Sequence, residues 1–212
     1  MGFAPGVTPD KWARAWAERM PRRPLHLEPL GQRDGVALLR TGDLAMCFVR
    51  LPVDTAGLHV IPLYDEQPVV VVSREHPVSA YPEIDVADLS EEHLLQDPDE
   101  VPAWRDLATE VRDGTRHPVP PMTLVQAVET VAAGTGILIV PMSLARLHHR
   151  KDVIPVPVTG VGATSVGLAW PRGDGSAEVD DRVDLFIGVV RGRTANTTRD
   201  VPPAAARRGR RR

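Results

Sequence analysis

The chain has 212 residues, 42% of them hydrophobic and 25% charged, which supports a buried core and excludes disorder throughout. Its single cysteine, Cys47, excludes a disulfide framework and any multi-thiolate metal site, and no run approaches the roughly 20 apolar residues of a membrane span. The formal charge of −3 averages two unlike pieces: the last six residues hold five arginines, and residues 1–206 alone carry −8.

Residues 1–4 read as a short strand, followed by a Pro-Gly turn. Thr8-Pro9-Asp10 then has the form of a helix start, with Thr8 as capping hydroxyl, Pro9 in the first helical position and Asp10 complementing the dipole. Trp12, Ala15, Trp16 and Arg19 follow at helical spacing up to Pro21. Residues 25–30 alternate as a strand, 34–40 form a helix stopping at Gly42, and the apolar run 44–51 reads as a strand buried on both faces. This alternation in about 50 residues signals an α/β fold with parallel pairing. Two strands are expected at 58–63 and 68–73. Short helices follow within 85–95 and 103–112, then an apolar helix at 123–133 behind Thr123. A strand at 137–140, a helix at 142–149, strands at 153–158 and 165–170 and a last helix at 181–190 complete the order. Beyond Gly192 the composition lacks periodicity, and residues 193–212 are expected to be a disordered Arg-rich tail.

This order resembles the effector-binding domain of LysR-type transcriptional regulators. Residues 127–141 (AVETVAAGTGILIVP) resemble that family's VAAGxGxxxxP segment, and residues 40–45 (RTGDLA) its xxGxLDLAI strand start, with Ala45 close to the family's Asp position. Residues 68–77 (PVVVVSREHP) resemble the strand that crosses between lobes, and 166–170 with Phe186 the return strand and last helix. The resemblance covers residues 1–192. It implies a two-lobed α/β fold like that of type 2 periplasmic binding proteins, each lobe a mixed, mostly parallel sheet flanked by helices. Lobe I would take about 1–71 and 167–192, and lobe II about 72–166, with Val72, Ser73 and Ala169 at the hinge. The family's regulators carry a winged helix-turn-helix before this domain, and here the matching segment begins at Met1.

In such a fold a small organic acid or similar polar effector is expected in the crevice, at strand carboxyl ends and helix N-termini. The candidate ligand-binding residues are Gly6, Val7 and Thr8, then Gln32 and Arg50, then Met122 and Thr123. Each keeps a plainer reading: Thr8 as a helix cap, Gln32 as a turn residue, and Arg50 in a salt bridge to Asp54 or solvated. Trp12 and Trp16 belong either to a homodimer face or to the core.

No catalytic constellation, cofactor motif or metal set is evident. Gly134-Thr135-Gly136 follows a helix and precedes a strand, the reverse of a dinucleotide fingerprint. His148 and His149 are adjacent and point about 100° apart on a helix. Cys47, inside a buried run, is expected to be inert. The expectation is therefore a cytoplasmic, non-catalytic sensor in transcription regulation. The rivals are an enzyme on the same scaffold, and a protein binding DNA non-specifically through Arg207, Arg208, Arg210, Arg211 and Arg212.

Overall fold

A computed structural model describes residues 1–173 and 177–192. The chain divides into two compact units, Met1–Thr8 with Leu27–Arg172, and Pro9–His26 with the described residues from Gly173 onward. The Arg-rich tail expected over 193–212 lies outside the described residues.

The first unit holds two sheets. Its elements are β1 (Gly2–Phe3), β2 (Glu28–Pro29), α2 (Asp34–Thr41), β3 (Cys47–Arg50), β4 (Leu58–Glu66) and β5 (Pro68–Ser73), with α1 (Asp10–Arg19) belonging to the second unit. They continue with β6 (Ile84–Asp85), α3 (Pro102–Arg105), α4 (Thr109–Arg112), α5 (Leu124–Ala132), β7 (Leu138–Pro141), α6 (Met142–Leu147), β8 (Val153–Thr159) and β9 (Thr164–Pro171). The first sheet has the order β2-β1-β3-β9-β4 and the second β6-β8-β5-β7. Both are mixed, but among the described strands parallel pairing is confined to β1 with β2 and β3 and to β6 with β8, so neither sheet is the mostly parallel one expected. The return strand β9 and the crossing strand β5 pair antiparallel on both sides.

The valine run of β5, an inner strand between β8 and β7, is buried on both faces because a hydrophobic core packs against each. Val70 and Val72 join one core with Trp104, Leu89, Ile139 and Val156, while Val69 and Val71 join another with Val128, Val131 and Leu138. A strand sends successive side chains to opposite faces, so four consecutive valines serve two cores. The helix forecast at 34–40 ends at Gly42, whose φ of 81° gives the left-handed cap. The forecast helix at 103–112 is two short ones, α3 and α4, and the strand forecast at 25–30 pairs only through Glu28 and Pro29.

Gly136 is required by a close approach of backbone. A Cβ there would lie 2.5 Å from the His93 carbonyl oxygen, because residues 93–95 bridge alongside Ile137.

The chain crosses between the sheets at Gln67 and at residues 160–163. The crossings therefore do not fall at Val72, Ser73 and Ala169, where the hinge was expected. Val72 and Ser73 pair with Ile154 and Val153 at the far end of β5, and Ala169 pairs with Cys47 and Val60 inside the first sheet. The cause is that β4 runs on through Tyr64, Asp65 and Glu66 to the crossing point. Residues 68–71 accordingly belong to the second sheet, not the first.

In the second unit, α1 packs with α7 (Ala177–Val190), the Trp16 and Phe186 rings standing 5.7 Å apart. The Trp16 Nε1–H donates to the Arg23 carbonyl at 2.7 Å, and Lys11 sits 4.2 Å over the Trp12 ring. Both tryptophans are buried, so they belong to the core reading and offer no exposed aromatic face for a dimer. Among the described residues no helix is long and apolar enough to cross a membrane, and no group of three or more His, Cys, Asp or Glu could hold a metal ion.

Trp104 is fully buried and its Nε1–H donates to the Leu89 carbonyl at 2.9 Å. Replacing it by Phe removes that buried bond, leaving the carbonyl with the Glu92 N–H at 3.1 Å, and opens a small void. Chemical denaturation of Trp104→Phe is expected to show a loss of about 1–3 kcal/mol.

Candidate functional site

Between the two sheets of the first unit lies a cavity of about 1460 Å³. Its first-sheet side is formed by Ala4, Pro5, the 30–36 segment and residues 47–54, and its second-sheet side by 95–102, 119–122, Leu138 to Pro141 and Leu144. The lining is mostly apolar, as expected of a small-molecule site, and the volume exceeds the roughly 300–1,000 Å³ of typical closed pockets.

The polar centre of the wall is Arg50, at the end of β3. Its Nε–H donates to Glu66 Oε2 at 2.6 Å, and both side chains are about 95% buried. Nη2 donates to Glu66 Oε1 at 3.3 Å, to the Pro5 carbonyl at 3.0 Å and to Ser143 Oγ at 3.3 Å, while Nη1 donates to Gln32 Oε1 at 2.8 Å. Ser143, on α6 of the second sheet, in turn donates to Glu66 Oε1. Burial, and after it the Glu66 charge, push the nearby Tyr64 phenol above its ordinary pKa.

The salt bridge considered between Arg50 and Asp54 does not form. Asp54 instead meets Arg40 at 2.6 Å, and its carboxyl is held below the usual range first by the Ala56 N–H and then by Arg40. The partner of Arg50 comes from two strands away. Val166 of β9 pairs with Arg50 on one side and Tyr64 on the other, so Glu66, two residues on, shares the face of Tyr64. The long arginine side chain spans β9 to reach it.

Of the residues expected at the ligand site, Gln32, Arg50 and Met122 line the cavity, whereas Gly6, Val7, Thr8 and Thr123 are not among its lining residues. Gly6 has a φ of +78°, and a Cβ there would lie 3.0 Å from the Ser143 backbone, so its missing side chain accommodates α6. Val7 is buried, Thr8 is exposed, and α1 starts behind Pro9 with no side-chain cap. Proline at that position leaves the Thr8 hydroxyl outside the cap. Thr123 is committed to a capping box: its hydroxyl accepts from the Gln126 N–H at 3.3 Å, and Gln126 Oε1 accepts from the Thr123 N–H at 2.9 Å. Glu66 and Ser143 escaped the sequence reading, although a buried arginine demands a carboxylate somewhere.

A second cation on the lining, Arg116, is likewise held. It donates to Glu110, to the Leu94 carbonyl at 2.7 Å and to the Gln96 carbonyl at 2.9 Å. Its guanidinium lies 5.6 Å from the Trp104 ring centroid. Arg33 reaches Glu100 at 3.4 Å with a largely solvated side chain, a weak pair. On the same rim Asp99 is paired with Arg105 at 2.7 Å, and Asp97 adds negative charge.

Cys47 also borders this region, but burial pushes its thiol up from 9.0 to about 11, the N-terminal amine opposing only in part. At neutral pH the nucleophilic thiolate is scarce.

Two outcomes follow from this wall. Arg50→Met strands the Glu66 carboxylate in the interior and should cost about 3–5 kcal/mol in urea unfolding, whereas the double variant Arg50→Met/Glu66→Leu should recover most of that loss. The Cys47 thiol should resist iodoacetamide in the native protein at pH 8 and react on unfolding. Because its folded pKa is the raised one, its contribution to stability is full below pH 9 and fades as pH rises toward 11, a decline that Cys47→Ala should lack.

Comparison with known proteins places this fold. A family model described as the LysR substrate binding domain matches residues 3–194. A probable hydrogen peroxide-inducible genes activator of Mycobacterium leprae is 28% identical over 198 residues, 89% of this chain and 63% of its own. The reduced form of the OxyR regulatory domain from Pseudomonas aeruginosa aligns at a TM-score of 0.63 with 22% identity, over 90% of this chain and 95% of that one. The BenM effector binding domain with its effector benzoate aligns at 0.60 with 19% identity, over 89% and 92%. The chain spans less than two thirds of the length of the first curated relatives it matches. With the family model matching nine-tenths of its length, the chain belongs to the LysR substrate-binding domain family.

Proposed function

We propose that this chain is the sensing part of a transcriptional regulator, binding a small-molecule effector in the cavity between its two sheets. The observation that carries the reading is the cavity itself, walled from both sheets in a domain whose two chain crossings, at Gln67 and 160–163, suit a hinge. An effector touching both walls favours the closed arrangement over the open one, and that difference is the signal. The regulator acts in the cytoplasm as a homodimer and is not an enzyme. In support, the buried polar groups of the wall, Arg50, Glu66 and Ser143, satisfy one another.

A peroxide signal, suggested by the name of the Mycobacterium leprae relative, is disfavoured on chemical grounds. Cys47 is buried with its pKa near 11, the opposite of the exposed, low-pKa thiol that peroxide oxidises.

The reading is tested by a thermal-shift screen of small organic compounds, with hits checked by calorimetry. A binder should stabilise the wild type by about 2–3 kcal/mol at a hundredfold excess over its Kd. Met122→Trp, which fills the rim from a half-buried position, should weaken that binder at least tenfold while leaving the unliganded stability nearly unchanged. A hit untouched by Met122→Trp, or Cys47 oxidation by micromolar peroxide, would count against the proposal.

A further inference from the structure

The structure assigns the cavity, on the reading of it as the effector site, to an uncharged and mainly apolar effector, with Glu66 as the residue that sets this specificity. Four observations converge. Arg50, the cation best placed to clamp a carboxylate, is neutralised by Glu66 and shares its remaining hydrogen bonds with Pro5, Gln32 and Ser143. Arg116 is neutralised by Glu110 and tied to two carbonyls. At the N-terminus of α5, expected to present free N–H groups and a hydroxyl to an anion, the capping box takes up the Thr123 hydroxyl and the Gln126 N–H, and Thr123 does not line the cavity. On the rim Asp99 is paired with Arg105 and Glu100 with Arg33, and Asp97 adds a further negative charge, so the rim offers an approaching anion no net attraction.

A carboxylate entering this space would lose its hydration without gaining a free buried cation, since Arg33, the solvated arginine of the lining, lies in water beside Glu100 and offers only a screened contact. A carboxamide, ester or hydroxyl of the same shape carries a far smaller desolvation cost, while the apolar lining rewards both equally. The organic acid expected from the sequence is therefore replaced as the favoured class. Glu66 is a positioning residue: it acts on the effector through the guanidinium it occupies.

The test is calorimetry on the full chain at pH 7.5 with matched probes: benzoate and benzamide, salicylate and salicylamide, nicotinate and nicotinamide, and benzylamine as the cation. In wild type the neutral member of a pair should bind about tenfold or more tightly than its carboxylate. Glu66→Gln, which keeps the shape but frees the Arg50 charge, should shift that ratio toward the carboxylate by a similar factor. A wild type that prefers carboxylates, or benzylamine, overturns the inference while leaving the cavity as the effector site. An unchanged ratio in a folded Glu66→Gln overturns the role of Glu66. Should Glu66→Gln unfold, the wild-type ratio still decides the ligand class. Failure of all probes and of a wider library to bind in a Met122→Trp-sensitive way removes the effector site itself, and the inference with it.

Discussion

The buried pair of Arg50 and Glu66 is the constraint around which the rest of this site is arranged. Two charges about 95% removed from water persist only where each finds the other and further hydrogen bonds finish the remaining donors and acceptors. Here the finishing groups are the Pro5 carbonyl, the Gln32 amide and the Ser143 hydroxyl. All of them lie outside the strands that carry the pair, so one ion pair pins the 5–7 turn, the 31–33 loop and α6 together. The close seat of Gly6 against Ser143 is part of the same arrangement.

Satisfying that pair also determines what the cavity is chemically. An arginine in a pocket wall ordinarily reads as an anchor for an acid. Once its fork is filled from behind, the same residue becomes a neutral, hydrogen-bonded piece of wall, and the surrounding leucines, valines and prolines dominate the lining. The effector class then depends on Glu66, which no motif marks, more than on Arg50, which the sequence picks out at once.

Much of the architecture was legible because it is local. The valine run of β5, the apolar face of α5 behind Thr123 and the stop at Gly42 each follow from periodicity and cap chemistry within a dozen residues. What the sequence hid is pairing across strands. Asp54 looked like the partner of Arg50 because it is four residues away; Glu66 is the partner because β9 brings β3 and β4 into one register. The crossings were placed several residues too far along for the same reason: the extension of β4 to Glu66 depends on its pairing with Thr164 to Val166, not on its own polar sequence Tyr64-Asp65-Glu66. Thr8 failed as a cap because Pro9 takes the capping position, and the tryptophans of α1 turned inward against α7.

The most direct test is a crystal structure of the chain with the tightest neutral binder from the calorimetric series. The account predicts that compound between residues 48–51 and 119–122, in contact with both walls, with Arg50 still bound to Glu66. A ligand outside the cavity, or one holding Arg50 through a carboxylate with Glu66 displaced, would contradict it.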